Sequence, residues 1–218
     1  MRGRIVLVMA WFALVGSAVS GRLDAQNRIG LTISLAPIPV QVTETVESES
    51  SKLTGIAFGG RGVVTWRKLR LDLRYLEGGL SPEAEAPDED IVEGELMLGF
   101  VPLSWLTLRF GPHIRSFVTN QGTQRWIFWE GHVGGALELG TPRLITYFDL
   151  WHVFGANVDA VEEYDSGNGI EGGIRFTLDR LPFWGKLAYR IDHSSLGAGS
   201  RSKTVEQMVF AIGWMITR

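Results

Sequence analysis

From Ile29 onward the chain alternates apolar and polar residues with a period of two, and no comparably long stretch carries helical spacing. In Leu69-Arg70-Leu71-Asp72-Leu73-Arg74-Tyr75, an extended backbone puts Leu69, Leu71, Leu73 and Tyr75 on one face and three charges on the other. Glu93, Glu95 and Met97 against Leu96, Leu98 and Phe100 repeat the pattern, as do Thr107, Arg109 and His113 against Leu108, Phe110 and Ile114. Such runs predict about ten strands, with cores near 29–42, 54–66, 69–77, 91–101, 105–117, 125–139, 144–154, 169–179, 184–193 and 205–217.

The connections between these runs alternate in length. Short ones fall at Arg67-Lys68, Pro102-Leu103-Ser104, Thr141-Pro142-Arg143 and Arg180-Leu181-Pro182, and long polar ones at 43–53, 78–90, 118–124, 155–168 and 194–204. Short turns at one end and long loops at the other predict an antiparallel transmembrane β-barrel of a bacterial outer membrane. Trp66, Trp105, Trp184 and Trp214 lie beside the short-turn end, and Trp126, Trp129, Trp151, Phe117 and Phe154 beside the long-loop end. They are expected to form two girdles at the membrane interfaces. Closure is expected because an open sheet edge in hydrocarbon leaves unpaired backbone groups. Pro37 and Pro39 each deprive the first strand of a donor. That strand is expected to be short or bulged, and an eight-stranded ring with one pair outside it is the alternative.

The segment before the first strand has the form of an export signal. Arg2 and Arg4 precede the apolar run from Ile5 to Val15, and Gly16, Ser17, Ala18 and Ser20 follow. Residues 1–25 are therefore expected to be a cleaved signal peptide, and 26–218 the barrel. The chain has no cysteine, which removes disulfides, thiolate catalysis and sulfur-ligated metals. A net charge of −3 gives no electrostatic reason to expect nucleic acid.

Several features invite chemical readings. Gly167-Asn168-Gly169-Ile170-Glu171-Gly172 has the spacing G-x-G-x-x-G, but a loop precedes it and a strand follows, the wrong context for a dinucleotide fingerprint. Acids cluster at Glu44, Glu47 and Glu49, at Glu83, Glu85, Asp88, Glu89 and Asp90, and at Asp159, Glu162, Glu163 and Asp165. They are either solvated charge or holders of divalent cations that bridge lipopolysaccharide phosphates. The inward parity gathers Arg70, Asp72, Arg74, Glu93, Glu95, Arg109, His113, Arg115, Glu130, His132, Glu138, Glu171, Arg175 and Arg190. Mixed charge filling a narrow barrel is the expected outcome, with a metal or acid–base site at Glu130 and His132 as the alternative.

The last hairpin breaks the greasy pattern. On its lipid-facing parity, Leu187, Tyr189 and Ile191 give way to His193 and Ser195, and Met208, Phe210 and Ile212 are preceded by Glu206. A register with His193 opposite Glu206 and Ser195 opposite Thr204 leaves 196–203 to the loop. Carboxylate, imidazole and hydroxyl would then follow one another in the order nucleophilic catalysis needs. Strands that have already left the membrane at this height are the competing explanation.

Tyr189-Arg190-x-x-His193-x-Ser195, a glycine-bearing loop and a Glu on the final strand resemble the C-terminal signature of the outer-membrane lipid A 3-O-deacylases, or acyloxyacyl hydrolases. The resemblance implies a metal-independent, cofactor-free serine esterase that removes an ester-linked acyl chain from lipopolysaccharide. By motif match, Ser195 is the nucleophile, His193 the general base and Glu206 its orienting carboxylate. The chain departs from the family at Leu196, where Asn is usual, and at Arg201-Ser202-Lys203-Thr204, where Asn-Pro-Gly is usual. Its serine-to-glutamate spacing is about one residue short, and ten strands exceed the family's usual eight. The backbone amides of Gly197, Ala198 and Gly199 are then the candidate oxyanion donors. Two other readings stand beside this one. One is a non-catalytic structural or adhesive barrel. The other is an omptin-like surface protease, suggested by the strand count and the adjacent Asp192 and His193.

Overall fold

The computed structural model describes residues 29–83, 87–120, 122–160, 162–178 and 181–217. The expected signal peptide lies outside them. Ten strands form a closed ring in which each pairs antiparallel with its neighbours in sequence and β1 closes against β10. They are β1 (Ile29–Val46), β2 (Glu49–Trp66), β3 (Leu69–Pro82), β4 (Glu89–Leu103), β5 (Leu106–Val118), β6 (Thr123–Glu138), β7 (Leu144–Val158), β8 (Tyr164–Thr177), β9 (Phe183–Leu196) and β10 (Arg201–Thr217).

Two expectations need correction. The proline-bearing first strand is neither short nor outside the ring, and β1 pairs without a break along β2 from Ile29↔Trp66 to Val46↔Glu49. The stretches expected to be long loops are mostly strand. β1 and β2 run on to a two-residue turn at 47–48, and β9 and β10 to a four-residue turn at 197–200. The polar residues there alternate as regularly as the apolar ones below, so ladder bonds continue past the apolar belt.

Outside, Phe58, Leu98, Phe110, Phe154 and Ile212 are among many large apolar side chains left at least half exposed. That surface is affordable only against lipid. Trp66, Trp105 and Trp214 face outward at the short-turn end, and Trp129 and Phe154 outward nearer the other. The remaining girdle candidates belong inside. Trp126, Trp151, Phe117 and Trp184 are buried, because each falls on the inward parity of its strand.

The interior is filled in layers. Toward the outer mouth, Trp126, Phe128, Val153 and Leu196 pack into an apolar plug, and the Lys203 ammonium lies 4.0 Å from the Phe117 ring centroid. Below it runs a network of buried ion pairs. Asp72 accepts from Arg61 Nε at 2.7 Å, from Arg70 at 2.9 Å and from Arg109 at 3.4 Å. Arg109 also binds Asp149, which meets His132 Nδ1 at 2.9 Å. Across the lumen, Arg190 joins Asp192 at 2.8 Å and Glu95 at 3.2 Å, and Gln207 links Arg74 to Glu93. Nearest the short turns is a cavity of about 370 Å³.

Candidate functional site

Along β8, β9, β10 and β1 the outward positions fall into successive rows joined by the ladder. The outermost row reads Ser166, Ser195, Ser202 and Thr45. The next reads Asn168, His193, Thr204 and Thr43, with His152 of β7 beyond Asn168. The third reads Ile170, Ile191, Glu206 and Gln41. Below it come Tyr189 and Met208, and the wall is apolar from there. Ser195, His193 and Glu206 therefore occupy three consecutive rows that cross from the polar rim to the apolar belt.

The register differs from the one expected. His193 is opposite Thr204, Ser195 opposite Ser202, and Glu206 opposite Ile191. The cause is the turn. Leu196 extends β9 because its side chain is buried in the Trp126–Phe128 plug. Gly197, Ala198 and Gly199 then all take left-handed φ values of 60°, 56° and 83° and reverse the chain within four residues. Glu206 and His193 become diagonal neighbours, ~7–8 Å apart at Cα, a separation long side chains can span. Leu196 points into the barrel, so the side chain next to the serine lies on the wrong face to serve an oxyanion.

Each of the three groups engages a different partner. His193 Nδ1 bonds the Thr204 hydroxyl at 3.0 Å, and Ser195 Oγ bonds Ser166 Oγ at 3.0 Å. Glu206 accepts from Gln41 Nε2 at 3.0 Å and shares an outer depression with Tyr189. Of the candidate oxyanion amides, Gly197 N–H donates to the Glu163 carbonyl at 2.8 Å and Gly199 N–H to the Asp165 carboxylate at 2.9 Å. The Ala198 amide has no partner among the described residues.

Asp192 and His193 are adjacent on β9 and so lie on opposite faces of the wall. Asp192 is buried with Arg190, Arg115 and the Trp151 indole, so the pairing that the protease reading needs is not made. Inside, Glu130 bridges His113 Nδ1 at 2.8 Å and His132 Nε2 at 3.2 Å. Asp192 lies close enough to His113 and Glu130 to complete a three-ligand set. Arg190 and Arg115 already neutralise Asp192, so the cluster is better matched to ion pairing than to a cation. Asp149 and Asp192 were missed as members of this network, although both fall on the inward parity.

The rim acids are partly committed as well. Glu44 and Glu162 bind Arg201, Glu44 also binds Lys203, and Glu83 binds Lys52. Above the span, burial pushes the Glu89 carboxyl above its ordinary range, opposed by Lys203 and assisted by Glu44.

Only a bilayer makes this arrangement stable, with a charged, packed lumen inside an apolar, edgeless wall. The chain is an outer-membrane β-barrel. No protein-family model and no curated protein matches its sequence. Among solved structures it is similar to the outer membrane protease OmpT from Escherichia coli, at 10% identity and a TM-score of 0.50, over 91% of this chain and 99% of that one. It is also similar to the translocator domain of the autotransporter NalP from Neisseria meningitidis, at 10% identity and a TM-score of 0.44, over 96% of this chain and 95% of that one. The likeness to OmpT is one of fold, and at this identity no activity comes with it.

Proposed function

We propose that the protein is a lipid-facing esterase of the lipid A deacylase type, with Ser195 as nucleophile, His193 as general base and Glu206 as the carboxylate that orients it. The observation that supports this reading is the placement of the three groups on consecutive outward rows across the polar–apolar boundary. An ester joining a sugar headgroup to an acyl chain lies at that boundary. In the reaction, His193 takes the Ser195 proton as Oγ attacks the ester carbonyl, then returns it to the departing sugar hydroxyl. Water, deprotonated by the same imidazole, releases the fatty acid from the acyl-serine.

The chemistry requires three contacts to exchange. His193 must leave Thr204, Ser195 must leave Ser166, and Glu206 must turn from Gln41 toward His193. These are outward, exposed or half-buried hydrogen bonds, each worth about 1 kcal/mol, and catalytic contacts commonly tighten only with substrate bound. The test is mass spectrometry of lipid A after incubating the purified barrel with lipopolysaccharide vesicles. Loss of one ester-linked acyl chain, abolished in Ser195→Ala, is expected. Lipid A left intact by the unmodified protein overturns the proposal.

A second reading, a non-catalytic barrel, is favoured by the separate partners of Ser195, His193 and Glu206. On that reading the polar rows are a hydrated rim, and lipid A is unchanged by either protein.

A further inference from the structure

The seam between the first and last strands has a gap. β1 pairs with β10 from Gly30↔Thr217 to Leu35↔Ile212 and again from Val40↔Gln207 to Val46↔Arg201, in one register, but not across 36–39 and 208–211. Over the same residues β1 pairs with β2 without a break. In an antiparallel sheet the backbone groups of alternate residues point to opposite neighbours. Pro37 and Pro39 share a parity, so both missing N–H groups are missing from the β10 side. The register carries Pro37 opposite Phe210 and Pro39 opposite Met208, two residues whose side chains face lipid. Their carbonyls lose their β1 donors within the hydrocarbon, where no water can replace them. Pro112 on β5 likewise coincides with a two-residue gap, between β4 and β5.

The two sides of the gap differ from the rest of the wall. Outside it is a depression of about 320 Å³ bounded by Pro39, Met208, Tyr189, Glu206 and Gln41. Inside, Ala36, Ile38, Val209 and Ala211 form one wall of the 370 Å³ cavity, which has room for about a dozen waters. Charged groups of both signs flank that wall, and Lys186 on β9, the ladder partner of Ala211, is taken up by Glu171. Arg175 on β8, the ladder partner of Lys186, lines the same cavity and makes no ion pair among the described residues. A cavity with a small-residue apolar wall and, two strands away, a guanidinium with no ion pair among the described residues matches a single-chain amphiphile with an anionic head.

We propose that the β1–β10 seam at Ala36–Pro39 is a lateral portal through which a long-chain fatty acid passes between the bilayer and this cavity. Its chain lies along Ala36, Ile38, Val209 and Ala211, and its carboxylate against Arg175. The bilayer supplies the ligand directly to the outer depression, and the ladder bonds absent at Pro37 and Pro39 need not be broken for β1 and β10 to part. Nothing in this depends on the esterase reading, because a fatty acid is present in the membrane whether or not this protein releases it.

The test uses the full barrel in phospholipid vesicles and a saturated long-chain fatty acid carrying a mid-chain diazirine, with labelled residues mapped by mass spectrometry. Light should label Ala36, Ile38, Val209 or Ala211. Because the chain has no cysteine, Pro39→Cys with Met208→Cys can staple the seam. Interior labelling should vanish in the oxidised form and return on reduction. Interior labelling that survives the closed disulfide means entry by the barrel mouth and overturns the portal. Label confined to outward Pro39, Met208 and Phe210 overturns it as well. Should the disulfide not form, Pro37→Val with Pro39→Val restores both donors. A several-fold fall in interior labelling is then expected, and unchanged labelling refutes the proposal.

Discussion

Asp72→Asn tests whether the lumen is held by charge or merely filled. The Asp72 carboxylate is 2% exposed and accepts from Arg61, Arg70 and Arg109, with salt-bridge distances of 2.5, 2.9 and 3.4 Å. Asparagine preserves the shape and one acceptor oxygen but leaves three guanidinium groups facing one another. At an effective dielectric near 20, a pair of unit charges ~3 Å apart attracts by about 5 kcal/mol before desolvation. The groups were desolvated when the barrel closed, so the substitution recovers none of that cost. Breaking a buried pair by removing one partner typically destabilises by about 3–5 kcal/mol, and three cations around one anion favour the upper part of that range. The assay is urea unfolding from phospholipid vesicles followed by tryptophan fluorescence. With a slope of about 2 kcal/mol per M, the midpoint should fall by about 2 M. Adding Arg61→Met, which removes a cation whose side-chain bonds both go to Asp72, should recover part of the loss. A midpoint for Asp72→Asn within about 0.3 M of the parent would refute the argument, since water would then be reaching the carboxylate.

Leu98, 70% exposed on the lipid side of β4, should be intolerant of charge. Leu98→Arg is expected to cost about 2–4 kcal/mol in the same unfolding assay, and a neutral result would mean that this face does not meet hydrocarbon. The apolar plug and the ion-pair layer together close the lumen, so the purified protein in a planar bilayer should carry no steady ionic current. Sustained unit conductance steps would show a continuous water path that the packing does not contain.

The strands were legible because a barrel wall has solvents of opposite character on its two sides. Leu69 to Tyr75 displays that contrast residue by residue, and the ten strand cores follow from it. The strand ends were less legible. Beyond the membrane both faces of a strand meet water, so Glu44 on β1 and Ser202 on β10 look like loop although they remain in the ladder. Parity assigned the interior charges, but their pairing depends on relative strand positions that no single strand reveals. The tryptophans were misread where closeness to a loop was used in place of parity, which Trp126 and Trp129 expose by differing by an odd number of positions. The candidate site suffered from the same limit. The outward face of His193, Ser195 and Glu206 is written in the alternation, whereas their register was decided by a turn whose three left-handed residues pull Thr204, rather than Glu206, opposite His193.

The closed lumen constrains where any activity of this barrel can lie. A ten-strand ring is wide enough to need filling, and here the filling is ionic, so a substrate entering from the outer mouth would have to displace both the plug and paired charges. The outer wall carries no such obstacle. Its unusual features, moreover, are adjacent rather than scattered. The row containing Glu206 and Gln41 is directly above Met208 and Pro39, where the ladder fails, and directly below His193. One structural circumstance links them, the pairing of the last strand with a first strand that carries two prolines on a single edge. Gln41, which closes the upper end of the gap in the outer wall, also holds the Glu206 carboxylate away from His193. The ladder is intact again from Val40↔Gln207 upward, so a seam that parts only at 36–39 leaves the contact between Gln41 and Glu206 in place. Stapling Pro39→Cys to Met208→Cys therefore tests the portal alone, through interior labelling, while acyl release reads the esterase separately.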